Sequence, residues 1–200
     1  MSESIDATVV ARIEQTKRQW MRRVEERFWP RGFSRDIWMV VDAARHRRIF
    51  PMLQEYHLEY YCLYSGTLPP ALEAVAPYLV QLDYDDREAH RFLQDAWGDS
   101  WGIFLKSAAH ANTLRRHLRE FLVVRGPDGN RLVFRYYDPR VLRVYLPTCT
   151  ADELGTFFGP IDRVWVEGDD QGTLVEYGLH QSRLVERRLS LDRPQPDSAD

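Results

Sequence analysis

The chain has 200 residues, with 27 Lys and Arg against 30 Asp and Glu, a net charge of −3, 44% hydrophobic residues and 12% aromatics. That length carries one ordinary domain with a real core, the apolar content excludes a disordered middle, and the negative balance argues against a dedicated nucleic-acid binder. Charge is nevertheless uneven: residues 111–150 hold eight Arg against three acids, whereas 151–200 hold five Arg against eleven.

In chain order, Ala7–Phe28 reads as an amphipathic helix. Val9, Ile13, Trp20, Val24 and Phe28 keep near-helical spacing among Lys17, Arg18, Arg22, Arg23, Arg27, Glu14, Glu25 and Glu26, and Trp29-Pro30-Arg31-Gly32 ends it. Such a helix normally packs on its own domain; an arm that docks on a partner is the other reading. Residues 36–43 (Asp-Ile-Trp-Met-Val-Val-Asp-Ala) form a nearly continuous apolar run, typical of a strand covered on both faces. Residues 45–55 have helical character that Pro51 interrupts, opening a second short turn. Residues 58–64 read as a strand closed by Ser65-Gly66, 69–75 as a short helix and 78–82 as another strand. Asp85 and Glu88 pair as caps for a helix through Trp97, which Gly98 ends.

The best-determined stretch is 101–140. Trp101-Gly102-Ile103-Phe104-Leu105 is a buried strand, and Ser107 is placed to cap a helix over 108–120 with Ala111, Leu114 and Leu118 on its apolar face. Residues 121–125 and 131–136 flank Gly126-Pro127-Asp128-Gly129-Asn130, a hairpin signal in which Pro127 presets φ and Asp128-Gly129 supplies the left-handed position. Asp138-Pro139 then starts a helix to residue 146, and Thr150 with Glu153 forms a capping box ahead of Phe157-Phe158. Residues 161–167 and 173–179 make a second hairpin, 181–191 a terminal helix, and 193–200 a disordered acidic tail. Strands alternating with helices and followed by hairpins predict an α/β or α+β fold: a single compact domain with a mixed sheet flanked by helices. Its parts are the N-terminal amphipathic helix (1–35), a central domain with a C-terminal hairpin (36–180), and a short helix with its tail (181–200).

Cys62 and Cys149 fit small buried hydrophobes in a reducing cytosol, the first residues lack the basic and apolar regions of a signal peptide, and no apolar run has bilayer length. These features predict a cytoplasmic protein that uses no membrane.

Several pieces resemble one family in their order along the chain. They are Val40-Val41-Asp42-Ala43-Ala44, Leu63-Tyr64-Ser65-Gly66, Ala76-Pro77-Tyr78-Leu79-Val80, Trp101-Gly102-Ile103-Phe104-Leu105, Leu114-Arg115-Arg116-His117-Leu118-Arg119 and Phe134-Arg135-Tyr136-Tyr137-Asp138-Pro139-Arg140. From about Ile37 to Pro160 the chain is similar to the type VI secretion effector-chaperone (adaptor) family, catalogued as domain of unknown function 4123. The resemblance implies a chaperone that binds a cognate toxin effector and helps load it onto the spike (VgrG) protein of a contractile secretion machine. It implies no catalytic residues.

The residues themselves point to binding rather than catalysis. There is no Gly-x-Ser-x-Gly elbow, phosphate loop or dinucleotide fingerprint, and Cys149 has no base near it in sequence. His110 and His117 are two turns apart, too far for an i, i+4 chelate. If extended, Glu55, His57 and Glu59 would share one face, so a metal-dependent hydrolase or nuclease using Glu55, His57, Asp42 or Asp138 is the alternative. A nucleic-acid binder using Arg115, Arg116, Arg119 and Arg125 ranks third. The expectation is therefore a protein that is no enzyme and needs no cofactor or metal. Its partner-contact residues are Tyr137, Arg140, Arg135, Asp138, Arg115, Arg116, Arg119 and Trp20, because Tyr, Trp and Arg supply much of the energy at protein interfaces. Asp138 caps a helix in the plainer reading, Tyr136 packs inside, and Trp97 and Trp101 read as core, with lining a groove as the other reading.

Overall fold

A computed structural model describes residues 7–30, 32, 35–125 and 128–192. Its frame is a seven-stranded sheet in the order β2-β3-β1-β4-β7-β8-β9, with β1 (Ile37–Asp42), β2 (Tyr60–Cys62), β3 (Pro77–Leu82), β4 (Gly102–Lys106), β7 (Arg163–Glu167), β8 (Thr173–His180) and β9 (Arg183–Ser190). Two further strands, β5 (Val123–Arg125) and β6 (Arg131–Val133), form a separate ribbon.

The apolar run around β1 makes it an inner strand with all six residues buried. Period-two alternation sends Ile37, Met39 and Val41 to one face and Trp38 and Val40 to the other. On the first face lie the helices α1 (Ala7–Phe28), α2 (Ile49–Glu55) and α4 (Arg87–Ala96), through Met21, Val24, Phe28, Leu53, Phe92 and Leu93. On the second lie α5 (Ala111–Glu120), α6 (Pro139–Tyr145) and α7 (Ala151–Phe158), through Leu114, Leu118, Leu142, Phe157 and Phe158. The remaining helix, α3 (Pro70–Glu73), is a single turn. Two cores thus share one sheet, and each fully buried large side chain contributes roughly 1.5–3 kcal/mol over exposure.

Every neighbouring pair in the sheet is antiparallel, where mixed direction was expected. The helix–strand alternation is real, because β3-α4-β4 joins two strands of the same direction. However, β1 is inserted between them and pairs antiparallel with both. Gly102 permits that insertion: a Cβ there would sit 2.0 Å from the Val40 carbonyl oxygen.

Local signals held in several places. Thr150 and Glu153 form the capping box of α7, Asp138 accepts from the Arg140 N–H at the start of α6 with Pro139 first in the helix, and Gly98 follows α4 at φ +99°. Elsewhere tertiary contacts won. The segment expected as a terminal helix is β9, joined to β8 by Gln181 and Ser182 at φ 48° and 59°, a turn geometry that matches strand twist. Its Leu184 and Leu189 lie opposite Leu179 and Leu174, so long-range pairing outweighs local helix preference. α5 is capped by His110 rather than Ser107, whose hydroxyl bonds the Pro160 carbonyl at 2.6 Å. α4 is capped by Asp86, while Asp85 donates its N–H to Asp83. Pro51 lies in the first turn of α2, where its missing N–H has no helical partner, so the helix continues past it. The strand at 58–64 and both arms of the 121–136 hairpin shorten to three residues each. The expectations for residues 1–6, Arg31, Pro127 and the 193–200 tail fall outside the described residues. No helix among the described residues is long and apolar enough to cross a membrane.

Candidate partner-binding surface

The 134–140 stretch leaves the β5–β6 ribbon and enters α6, and its side chains divide sharply by exposure. Tyr136 is fully buried and its hydroxyl donates to the Leu118 carbonyl at 2.9 Å, fastening the stretch to the last turn of α5. Tyr137 was expected to meet a partner, but it is 2% exposed, so it belongs to the core. Burial and the neighbouring Asp42 and Tyr64 push its phenol pKa up. Two aromatic side chains in succession are both retained inside where the chain turns between the ribbon and α6.

The charged residues sit over this aromatic pair. Asp42, at the end of β1 and 1% exposed, accepts from the Ala44 N–H and pairs with Arg135. Asp138, 5% exposed, accepts from the Arg140 N–H at 3.0 Å and from the Arg140 guanidinium at 2.9 and 2.6 Å. Burial opposes ionisation of Asp138, but the Arg140 side chain and backbone N–H outweigh it and hold the carboxyl below its usual range. Both carboxylates therefore support the fold, and Arg135 and Arg140 spread over them toward solvent.

The basic helix divides three ways. Arg115 donates to the Cys62 carbonyl at 2.8 Å, Arg116 points outward, and Arg119 lines a groove of about 510 Å³ between Leu63–Ser65 and the ribbon. Arg125 and Arg131 line the same groove. The ribbon exposes Val123, Val124, Leu132 and Val133, the last at 62%. Apolar side chains left in solvent between arginines mark a surface suited to a protein partner. Sequence reasoning missed these aliphatics, because alternation in a hairpin normally buries one face and this ribbon packs neither.

Trp20 lies apart from that surface. It is half-buried, its indole N–H donates to Asp192 at 2.7 Å, and it lines a cleft of about 660 Å³ with Val9, Ile13 and Trp97. The helix periodicity therefore splits: Met21, Val24 and Phe28 are core, whereas Val9 and Ile13 are 49% and 61% exposed. Trp97 and Trp101 are core, as expected. Cys62 and Cys149 are half-buried and share no disulfide, the Cys149 thiol donates to the Tyr145 carbonyl at 3.4 Å, and burial pushes both thiols up.

The extended face proposed for Glu55, His57 and Glu59 does not form. Glu55 ends α2, His57 sits at φ 51° and Glu59 only precedes β2, so the two-residue period is absent. Among the described residues, no group of three or more His, Cys, Asp or Glu could hold a metal ion. His117 bonds the Phe157 carbonyl at 2.8 Å.

Two buried carboxylates escaped the sequence reading. Glu176, 1% exposed, accepts from Arg27 and from the Trp165 indole, and Glu167, 3% exposed, accepts from the Gly98 and Ser100 N–H groups. Burial pushes the Glu167 carboxyl up to about 7. An acid in an apolar strand, Glu176 within β8 and Glu167 at the end of β7, was the available signal.

Among comparisons with known proteins, the family described as Domain of unknown function (DUF4123) matches residues 37–156. No curated protein and no solved structure matches the chain.

Proposed function

This chain belongs to the family described as Domain of unknown function (DUF4123), and on that premise we propose that it is a cytoplasmic adaptor, one that binds a toxin effector and helps load it onto the spike protein of a type VI secretion machine. The observation that carries the reading is the ribbon of β5 and β6, whose four exposed aliphatics stand beside Arg119, Arg125 and Arg131 within the family-matched residues. Such a surface covers an apolar segment of a partner while its arginines select and orient it. Arg135 and Arg140 are exposed as well, each paired with a buried carboxylate. A modest interface of this kind suits cargo that must later be released.

The test is co-expression of the tagged full chain with the genes that adjoin it, followed by affinity purification and mass spectrometry. A toxin recovered together with a spike protein supports the reading, and Val133→Asp should lose the toxin while leaving the circular dichroism spectrum unchanged. If the wild-type chain returns with neither protein, the adaptor reading fails.

A further inference from the structure

Two parts of the fold lie outside the family-matched residues, the N-terminal helix α1 and the strands β7–β9. They are fastened to each other. Arg27 of α1 gives two hydrogen bonds of 2.7 Å to Glu176 of β8, and the Trp165 indole of β7 gives that carboxylate a third at 2.8 Å. Beside this clamp a groove of about 1050 Å³ runs between α1 and the C-terminal edge of the sheet. Leu174 and Leu189 lie at its base, and Arg18, Arg22, Arg23 and Arg27 stand along α1.

The charge on this side is unbalanced. Arg187 lies opposite Glu176 on the same sheet face, and Arg163 approaches Glu176 at 3.8 Å. Setting Arg23 aside, Arg18, Arg22, Arg27, Arg163 and Arg187 are opposed, among the described residues on this side, by Glu14, Glu26 and the buried Glu176. Glu14 meets Arg18 only across solvent, with side chains 65% and 72% exposed, which neutralises little. The clamp thus holds a positive surface open rather than cancelling it.

The second feature is the edge itself. β9 is eight residues long and, among the described residues, has one neighbour in the sheet, β8, so no described strand faces its outer backbone donors and acceptors. An extended peptide can pair there, and a backbone edge of this kind recognises another peptide backbone, not a nucleic acid.

We propose that the α1–β9 groove docks an extended acidic segment of a partner protein, which adds a strand to β9 and lays its carboxylates along the α1 arginines. This deepens the adaptor reading and rests on it only in assigning the segment to a partner protein. The adaptor would then hold two surfaces: an apolar one inside the family-matched residues, and an acid-selective one built from the elements around them.

The test uses the full chain and a dye-labelled peptide of about ten residues alternating Glu and Val, long enough to span an eight-residue edge, followed by fluorescence anisotropy. Arg22→Glu with Arg187→Glu should weaken binding at least about tenfold, as charge reversal across an interface does. Val133→Asp, on the other surface, should leave it unchanged. Both arginines are exposed, so circular dichroism should match the wild type, while the urea midpoint should fall slightly because Arg187→Glu sets a second carboxylate opposite Glu176. Hydrogen exchange of residues 183–190 should slow at least about tenfold when the peptide binds. Equal binding of a Lys–Val peptide, a charge-reversed variant within about twofold of wild type, or unchanged exchange in β9 would each overturn the proposal. So would preferential binding of an oligothymidylate. Recovery of the toxin in co-expression without peptide binding would refute this groove and leave the adaptor reading standing.

Discussion

Arg27→Ala should be a damaging change on α1 although it removes no core side chain. It deletes two charge-assisted bonds of 2.7 Å to Glu176, whose side chain is 2% exposed. The remaining partners would be the Trp165 indole and Arg163 at 3.8 Å. Breaking a buried ion pair by removing one partner costs about 3–5 kcal/mol, because the other charge stays desolvated. Arg27 is itself 35% exposed, so water partly replaces it, and about 2–3 kcal/mol is the expected loss. For a chain of this size that lowers the melting midpoint by roughly 5–10 °C. Arg27→Lys keeps the charge but not the two-pronged geometry, and should cost about 1 kcal/mol. Urea unfolding followed by tryptophan fluorescence gives both values, since Trp165 bonds the same carboxylate. A double-mutant cycle with Glu176→Gln should return a coupling of about 2 kcal/mol. An Arg27→Ala variant within about 0.5 kcal/mol of wild type, the scale of ordinary surface changes, would refute the clamp.

Glu167 should make the protein less stable as pH rises. Its folded carboxyl titrates at about 7 against an ordinary 4.5, so its contribution is complete below about 4.5 and is lost through 7, about 3 kcal/mol in all. Glu167→Gln should flatten the pH dependence of the urea midpoint across that window, and parallel profiles for the two proteins would contradict the assignment. His90 bridges α4 to Glu25 of α1 at 2.8 Å, and that bond raises the pKa of its ring. The stabilisation is present below the ordinary histidine range and fades as pH rises through the raised folded value, so His90→Ala should lose more stability in acid than in alkali by thermal melting. Asp138→Ala removes the α6 cap and leaves Arg140 without its carboxylate, at a cost of about 1–2 kcal/mol; an unchanged melting midpoint would count against the cap. Gly102→Ala should open the β1–β4 pairing, because its Cβ meets the Val40 carbonyl at 2.0 Å, and should cost about 3 kcal/mol or prevent folding. A well-folded Gly102→Ala variant would show that the close approach is wrong.

Much of the architecture was legible in the sequence because its causes are local. Asp138-Pro139, Thr150 with Glu153, and Gly98 each answer a demand made within four residues: a free N–H to bond, a φ to adopt, a helix to stop. The apolar run of β1 announced burial on both faces without reference to any partner, and α1 declared its length by periodicity alone. What the chain could not disclose by itself lies across distance. Nothing near Leu184 and Leu189 says that they will lie opposite Leu179 and Leu174, so 181–191 reads as helix until β8 is beside it. Tyr137 has an interface residue's chemistry, yet Asp42 and Tyr64, far away in sequence, enclose it. Val9 and Val133 look like core, but the described fold sets no core against them. Glu176 gains its partner Arg27 only when residues 149 positions apart meet, and the basic groove exists only after that meeting. Capping and turn chemistry are short-ranged and can be read residue by residue; burial and charge balance are sums over neighbours that tertiary packing alone supplies.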